Sequence, residues 1–168
     1  MKQKRDKKAF SALVEENQAV IHKITMVYEN TRSGREDLFQ EICLQLWKAY
    51  PGFREEARFS TWLYRVALNT AISDVRKKKN VFAFEPLRES DHITPETSRD
   101  HEYTQHLHSA ISKLNRIDKA IILLWLEDKS YQDIAAIIGT SKNNISVKLV
   151  RIKRKLEEMI NPSPGQES

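Results

Sequence analysis

Cysteine is nearly missing from this chain. Cys43 stands alone, so no internal disulfide can form and a reducing compartment fits. Glycine and proline are scarce, at four and five residues in 168. They fall between periodic segments, so an all-helical protein is expected. No apolar run approaches the ~20 residues a spanning helix requires. Met1-Lys-Gln-Lys-Arg lacks the apolar centre of a secretory leader. A cytoplasmic protein without membrane insertion is therefore expected. Also missing are a nucleophile triad, a phosphate-cradling glycine loop and a spaced carboxylate set. An enzyme acting alone is not expected, and no cofactor is called for.

Charge is present in both signs but unevenly placed. The net charge is +5 and the pI about 9.3, mild for a nucleic-acid binder, so distribution matters more than the total. Residues 1–80 hold 16 basic and 10 acidic side chains, residues 81–106 hold 2 and 6, and residues 107–168 hold 10 and 7. Two basic blocks thus flank an acidic connector. The expected organisation is two small helical domains, 1–80 and 103–168, joined by a flexible linker at 81–102. Within that linker, residues 81–98 carry Pro86 and Pro95 and little periodicity. Lys2, Lys4, Arg5, Lys7 and Lys8 read most simply as a disordered basic tail over residues 1–8.

Residues 129–159 have the layout of a helix-turn-helix, which places a helix in the DNA major groove. Ser130 with Asp133 three residues on reads as a helix start. Ile134, Ala135, Ile137 and Ile138 form a compact apolar face, and Gly139 suits a helix end. Thr140 or Ser141 can cap the next helix. There Ile145, Leu149, Ile152, Leu156 and Met159 recur at spacings of four, three, four and three, one buried stripe. Lys148, Arg151, Lys153, Arg154 and Lys155 lie off it and make a basic exterior. A helical hairpin with a merely solvated charged face is the bland alternative.

Upstream, helices are expected over about 10–28, 36–50 and from Ser60 into Arg76-Lys77-Lys78-Lys79, with Ser33-Gly34-Arg35 as a turn. Phe10, Leu13, Val14, Ile21 and Ile24 anchor the first. In the second, Phe39, Cys43, Leu46, Trp47 and Tyr50 read as the core stripe. Asp37, Gln40, Glu41, Leu44 and Lys48 make another stripe, where an exposed leucine among acids and amides suggests a partner surface. A solvated face with one stray leucine reads as well from pattern alone. In the third, Phe59-Ser-Thr-Trp-Leu-Tyr-Arg sets aromatics beside cations, which suits unstacked bases. Phe59 and Trp62 read equally as core, whereas Tyr64, Arg65 and Asn69 are harder to place there. Two further helices, about 100–114 and 116–127, precede the helix-turn-helix.

Asp37-Leu-Phe-Gln-Glu-Ile-Cys-Leu-Gln-Leu-Trp-Lys resembles the core-binding helix, region 2.2, of sigma-70 family RNA polymerase sigma factors. Phe59-Ser-Thr-Trp-Leu-Tyr-Arg-Val-Ala-Leu-Asn-Thr-Ala resembles regions 2.3 and 2.4, and residues 111–156 resemble region 4. The two-domain plan with a short linker is similar to the extracytoplasmic-function (ECF) group. The resemblance spans about residues 9–80 and 103–160. It implies an initiation subunit that binds core polymerase through the β′ clamp helices and β flap, binds promoter DNA, and is held by an anti-sigma factor. Asp37, Gln40, Glu41, Leu44 and Lys48 match the core-binding surface. Phe53, Arg54, Phe59, Trp62, Arg65, Asn69, Arg76, Lys77 and Lys78 match the −10 element site. Within it, the loop 53–59 and Asn69 would hold a flipped base, whose extrusion costs a few kcal/mol. Lys142, Asn143, Asn144, Ser146, Val147, Lys148, Val150 and Arg151 match the −35 readers. The acidic linker would thread toward the RNA exit path.

The chain departs from the pattern in its last helix. Many ECF members carry lysine or arginine at the Ser146 position, serine at Val147, and histidine or phenylalanine at Val150. Val147 and Val150 cannot donate hydrogen bonds but suit thymine methyls. Asp100-His-Glu-Tyr-Thr-Gln-His-Leu-His gathers three of five histidines, yet His101 and His108 share a face that His106 leaves, so a polar segment is preferred to a metal site. Two rivals remain. A DNA-binding regulator outside polymerase would need neither the Gln40, Glu41 and Leu44 face nor the Trp62 and Asn69 segment. An adaptor that binds polymerase without reading DNA would not need the basic recognition helix.

Overall fold

The computed structural model describes residues 6–81 and 99–162, with side chains over 6–73 and 102–162. Lys2, Lys4 and Arg5, most of the expected linker, and the side chains of Arg76, Lys77 and Lys78 lie outside the described residues. Those residues hold seven α-helices, a short 3-10 turn and no strand. The chain divides into two compact units, Met1–Asp91 and His92–Ser168.

The first unit is a bundle of α1 (Lys7–Tyr28), α2 (Arg32–Ala49) and α3 (Phe59–Val81), each packed on the other two. Its core joins Ile21, Ile24 and Tyr28 to Leu38, Ile42 and Leu46, and to Leu63, Ala67, Leu68 and Ala71. Phe10 meets Trp47 edge-on and tilts against Tyr50, at ring separations of 5.0 and 5.2 Å.

Four expectations change here. First, Lys7 and Lys8 are helical rather than tail. The Asp6 carboxylate accepts from the Lys8 and Ala9 N–H groups at 3.0 and 3.3 Å and starts α1 early. Second, Ser33-Gly34-Arg35 is the first turn of α2, not a loop. The Thr31 hydroxyl accepts from Gly34 N–H and Arg35 Nε donates to the Glu29 carbonyl, both at 3.0 Å. A glycine costs up to about 1 kcal/mol inside a helix, less in its first turn, and a side-chain cap offsets that. Third, the buried ridge of α2 is Leu38, Ile42 and Leu46, while Phe39, Cys43, Trp47 and Tyr50 are only half-buried. α1 and α3 both cover α2, so its burial centres between them, and the rings close its margins, Phe39 stacking on His22 at 4.7 Å. Fourth, Tyr64 is only 3% exposed and belongs to the core.

The second unit holds α4 (Arg99–Ser112), α5 (Arg116–Leu126), α6 (Tyr131–Ile138) and α7 (Lys142–Ile160), with α7 packed on the other three. α4 begins four residues before the expected domain boundary at 103. The Asn115 side chain caps α5 reciprocally. Its Oδ1 accepts from Asp118 N–H and its Nδ2 donates to the Asp118 carboxylate, both at 2.9 Å. Lys155 of α7 stands 3.9 Å from that buried carboxylate. Ser130 caps α6 and Ser141 caps α7, each accepting a backbone N–H at 3.1 Å. Gly139 ends α6 with φ of 85°, the left-handed region that a side chain resists. Ile145, Leu149, Ile152 and Leu156 are buried, but Met159 is 38% exposed, so the stripe stops one member short. A seven-residue repeat drifts by about 20° per heptad on a straight helix, and Met159 lies two heptads beyond Ile145.

Candidate nucleic-acid interface

α7 presents three faces. Its buried stripe packs inward, and directly opposite stand Asn143, Val147, Val150 and Arg154, with Arg151 beside them, all exposed. Lys142 and Asn144 are exposed near the amino end, while Ser146 and Lys148 are half-buried on the flanks. The eight expected −35 residues therefore do not share one face. Asn143, Val147, Val150 and Arg151 project most fully. Asn144 is tied into the turn: its Nδ2 donates to the Thr140 hydroxyl at 2.7 Å. One amide hydrogen and Oδ1 remain for a base edge. Lys153, expected only as part of the basic exterior, places its ammonium 4.0 Å from the Trp125 ring centre, a cation–π contact.

In the first unit, Asp37, Gln40, Leu44 and Lys48 lie exposed on the side of α2 opposite Leu38, Ile42 and Leu46. Glu41 is half-buried at the edge of that face and accepts from Gln45 Nε2 at 2.8 Å. Leu44, 44% exposed, is the apolar centre of a polar surface. Cys43 sits on the flank, where burial raises its thiol pKa.

On α3, Phe59, Trp62, Val66, Asn69 and Ser73 recur at helical spacing along one face. Phe53 from the preceding loop closes a three-ring cluster with Phe59 and Trp62, at separations of 5.1 to 5.5 Å. All three rings are half-buried, so the cluster serves as core margin and as surface at once. Arg54, Arg65 and Asn69 are exposed. Asn69 also lines an open groove of about 370 Å³ with Glu41, Gln45, Ala49, Val66, Thr70 and Ser73. None of those lining residues comes from the loop 53–59 that was expected to share a pocket with Asn69. The groove instead sets Asn69 across from Glu41 on α2. Arg76, Lys77 and Lys78 follow on the α3 backbone.

Sequence reasoning missed Gln45, Thr70 and Ser73, whose polar side chains line this groove, because the groove exists only where two helices meet. It also missed a second groove of about 410 Å³, lined by Tyr103, Leu107, Trp125, Leu126, Leu156 and Ile160 among others. The readable signal was the Tyr103, Leu107 and Ala110 spacing on α4. His106 and His108 are exposed on α4, and among the described residues no three of His, Cys, Asp or Glu gather as metal ligands.

Comparison with known proteins matches both units of the chain. The family models described as "Sigma-70 region 2" and "Sigma-70, region 4" match residues 13–81 and 104–156. The chain is 31% identical over 176 residues to the ECF RNA polymerase sigma-E factor of Escherichia coli (strain K12), covering 95% of this chain and 91% of that protein. It is 29% identical over 181 residues to the protein of the same name from Haemophilus influenzae, covering 95% and 92%. Among solved structures, it resembles the sigma factor RpoE in complex with the anti-sigma factor NepR from Bartonella quintana. There the TM-score is 0.70 at 20% identity, over 93% of this chain and 99% of that one. CnrH in complex with the cytosolic domain of CnrY gives 0.69 at 19%, over 95% and 92%. At such identities these two likenesses establish the fold.

Proposed function

The chain belongs to the sigma-70 family of RNA polymerase sigma factors, in the ECF group, and from that premise we propose how its two units divide the work. It is a specificity subunit that joins core polymerase, recognises promoters and starts transcription. In our reading the exposed face of α2 docks on the β′ clamp helices through Asp37, Gln40, Glu41, Leu44 and Lys48. Leu44 supplies apolar area at the centre, and the charged and amide groups around it supply register, the usual anatomy of a docking patch.

The second unit has two tasks. Its apolar groove around Trp125 and Tyr103 takes the β flap. α7 lays its outward ridge in the major groove of the −35 duplex, with Arg151 and Lys142 on phosphates and Asn143, Val147 and Val150 at base edges.

α3 acts once the strands part. Asn69, Gln45, Glu41, Thr70 and Ser73 supply donors and acceptors for an extruded base. The rings of Phe53, Phe59 and Trp62 lie farther up the same helical face, ready for stacking. Arg54, Arg65, Arg76, Lys77 and Lys78 hold the phosphates of the −10 strand. The chain itself catalyses nothing. It works in the cytoplasm and is bound there by an anti-sigma factor, as RpoE is in complex with the anti-sigma factor NepR. Among the described residues no helix is long and apolar enough to cross a membrane.

The observation that carries this reading is α2, which buries Leu38, Ile42 and Leu46 and yet displays Leu44 among Asp37, Gln40 and Lys48 on its far side. A regulator acting outside polymerase has no use for that second face. Run-off transcription with core polymerase is the test. Specific initiation only when the chain is added supports the reading. Specific DNA binding without initiation would move the chain to the regulator class.

A further inference from the structure

Val147 and Val150 are 52% and 57% exposed at the crest of α7. Neither helps the helix itself. Valine is a poorer helix former than alanine, lysine or glutamate, because its branched side chain loses rotamer freedom against the preceding turn. Single exposed apolar residues are ordinary. Two at i, i+3 on the ridge of a recognition helix, flanked by Asn143, Arg151 and Arg154, form an apolar strip bordered by cations. The DNA major groove fits such a strip. It is wide enough to admit a helix, its walls carry phosphates for the arginines, and its floor offers one apolar group, the thymine C5 methyl.

We propose that Val147 and Val150 determine the −35 specificity of this chain by packing against the C5 methyls of two thymines. The inference rests on the reading of α7 as the −35 helix. Three residues of helix advance about 4.5 Å, while stacked base pairs rise about 3.4 Å, so the two side chains reach neighbouring steps. Selection works in both directions. A thymine methyl and a valine exclude water from each other. A cytosine at the same step would turn its N4 amino group toward a side chain that accepts no hydrogen bond, and would lose a water in doing so. The preference is therefore for thymine over cytosine, and for thymine over uracil, which differs only by the methyl.

The experiment uses holoenzyme assembled from core polymerase and the full chain. A duplex library randomised across the −35 region is selected for binding, and the winning duplex is remade with each thymine replaced singly by uracil. Two neighbouring positions should each lose about fourfold in affinity, the effect of one buried methyl. In Val147→Ala one of these penalties should disappear, in Val150→Ala the other, and Val147→Thr, which keeps a methyl, should retain part of its own. Both side chains are exposed, so the variants fold. Uracil duplexes bound as tightly as thymine ones would overturn the proposal. So would alanine variants that weaken both duplexes equally, or a winning sequence without thymine there. If the valine variants bind promoter normally but lose a protein partner, the strip is a protein contact and the proposal fails. If no sequence is enriched, the −35 reading itself falls and takes the proposal with it.

Discussion

Replacing Leu44 and Gln40 together by alanine should cost about 30-fold in affinity for core polymerase, roughly 2 kcal/mol at about 1.4 kcal/mol per tenfold. Fully covering a leucine side chain contributes about 2 kcal/mol. Leu44 is 44% exposed in the free chain, so a partner can cover a little under half of it, which contributes about 1 kcal/mol. Gln40 is exposed, and one net hydrogen bond from its amide contributes about 1 kcal/mol more. Neither change should disturb the bundle, since substitutions at exposed sites alter stability by about 0.5 kcal/mol at most. The assay is competitive titration of a fluorescent chain onto core polymerase at physiological salt, beside a thermal melt of each variant. Leu38→Ala is the contrasting control. It empties a fully buried site on the opposite side of α2 and should cost about 2–5 kcal/mol of stability, with binding lost only as the bundle unfolds. A double variant that binds core as tightly as the parent removes the docking assignment. One whose loss of binding matches a fall in melting temperature shows a structural role only.

Gly139→Ala should destabilise the second unit by about 1 kcal/mol from torsion alone, because an added methyl there meets no atom within 4 Å. Gly139→Asn should lose less, and urea unfolding followed by Trp125, the one tryptophan of that unit, reads both; a parent-like midpoint for alanine refutes the strain. Asn69→Ala should impair strand opening, seen as loss of permanganate-reactive thymines near −10, while −35 binding stays intact. Equal loss of both removes the base-holding role. Cys43 should react slowly with a disulfide reagent at neutral pH, because burial raises its pKa and thins the thiolate. Its rate should go on climbing at pH values where the unfolded chain has levelled off, and identical profiles would show an open thiol.

Much of the fold was legible because its determinants are local. Ser130, Gly139 and Ser141 fix the helix-turn-helix by capping and by one positive φ, and each could be read from its own few neighbours. Less legible was everything that depends on what lies opposite. The buried ridge of α2 runs through Leu38, Ile42 and Leu46 rather than Phe39, Cys43 and Trp47 because two helices cover α2, and hydropathy cannot say from which directions. The first turn of α2 was hidden by Gly34, whose poor helix propensity is offset by Thr31 and by an arginine reaching back to Glu29. Both grooves escaped for a related reason. Glu41 and Asn69 are far apart in sequence, and only the packing of α2 on α3 makes them one surface.

Positive charge and identity separate in this chain. Lysines and arginines off the buried stripe of α7 give affinity for any phosphate backbone, and that affinity falls with salt whatever the sequence. They announced nucleic acid from composition and spacing alone, and could not distinguish a polymerase subunit from a repressor. In the proposed reading the discriminating residues are uncharged. Leu44 carries the apolar centre of one surface, Asn69 the amide over a groove, and Val147 and Val150 the crest of the recognition helix. Each is a side chain whose type does not match its exposure or its neighbours: a leucine among acids and amides, an amide on a face that begins with aromatics, two valines among arginines. Helix propensity alone would not choose asparagine or valine there, nor burial an exposed leucine, and the contacts proposed outside the chain account for all four.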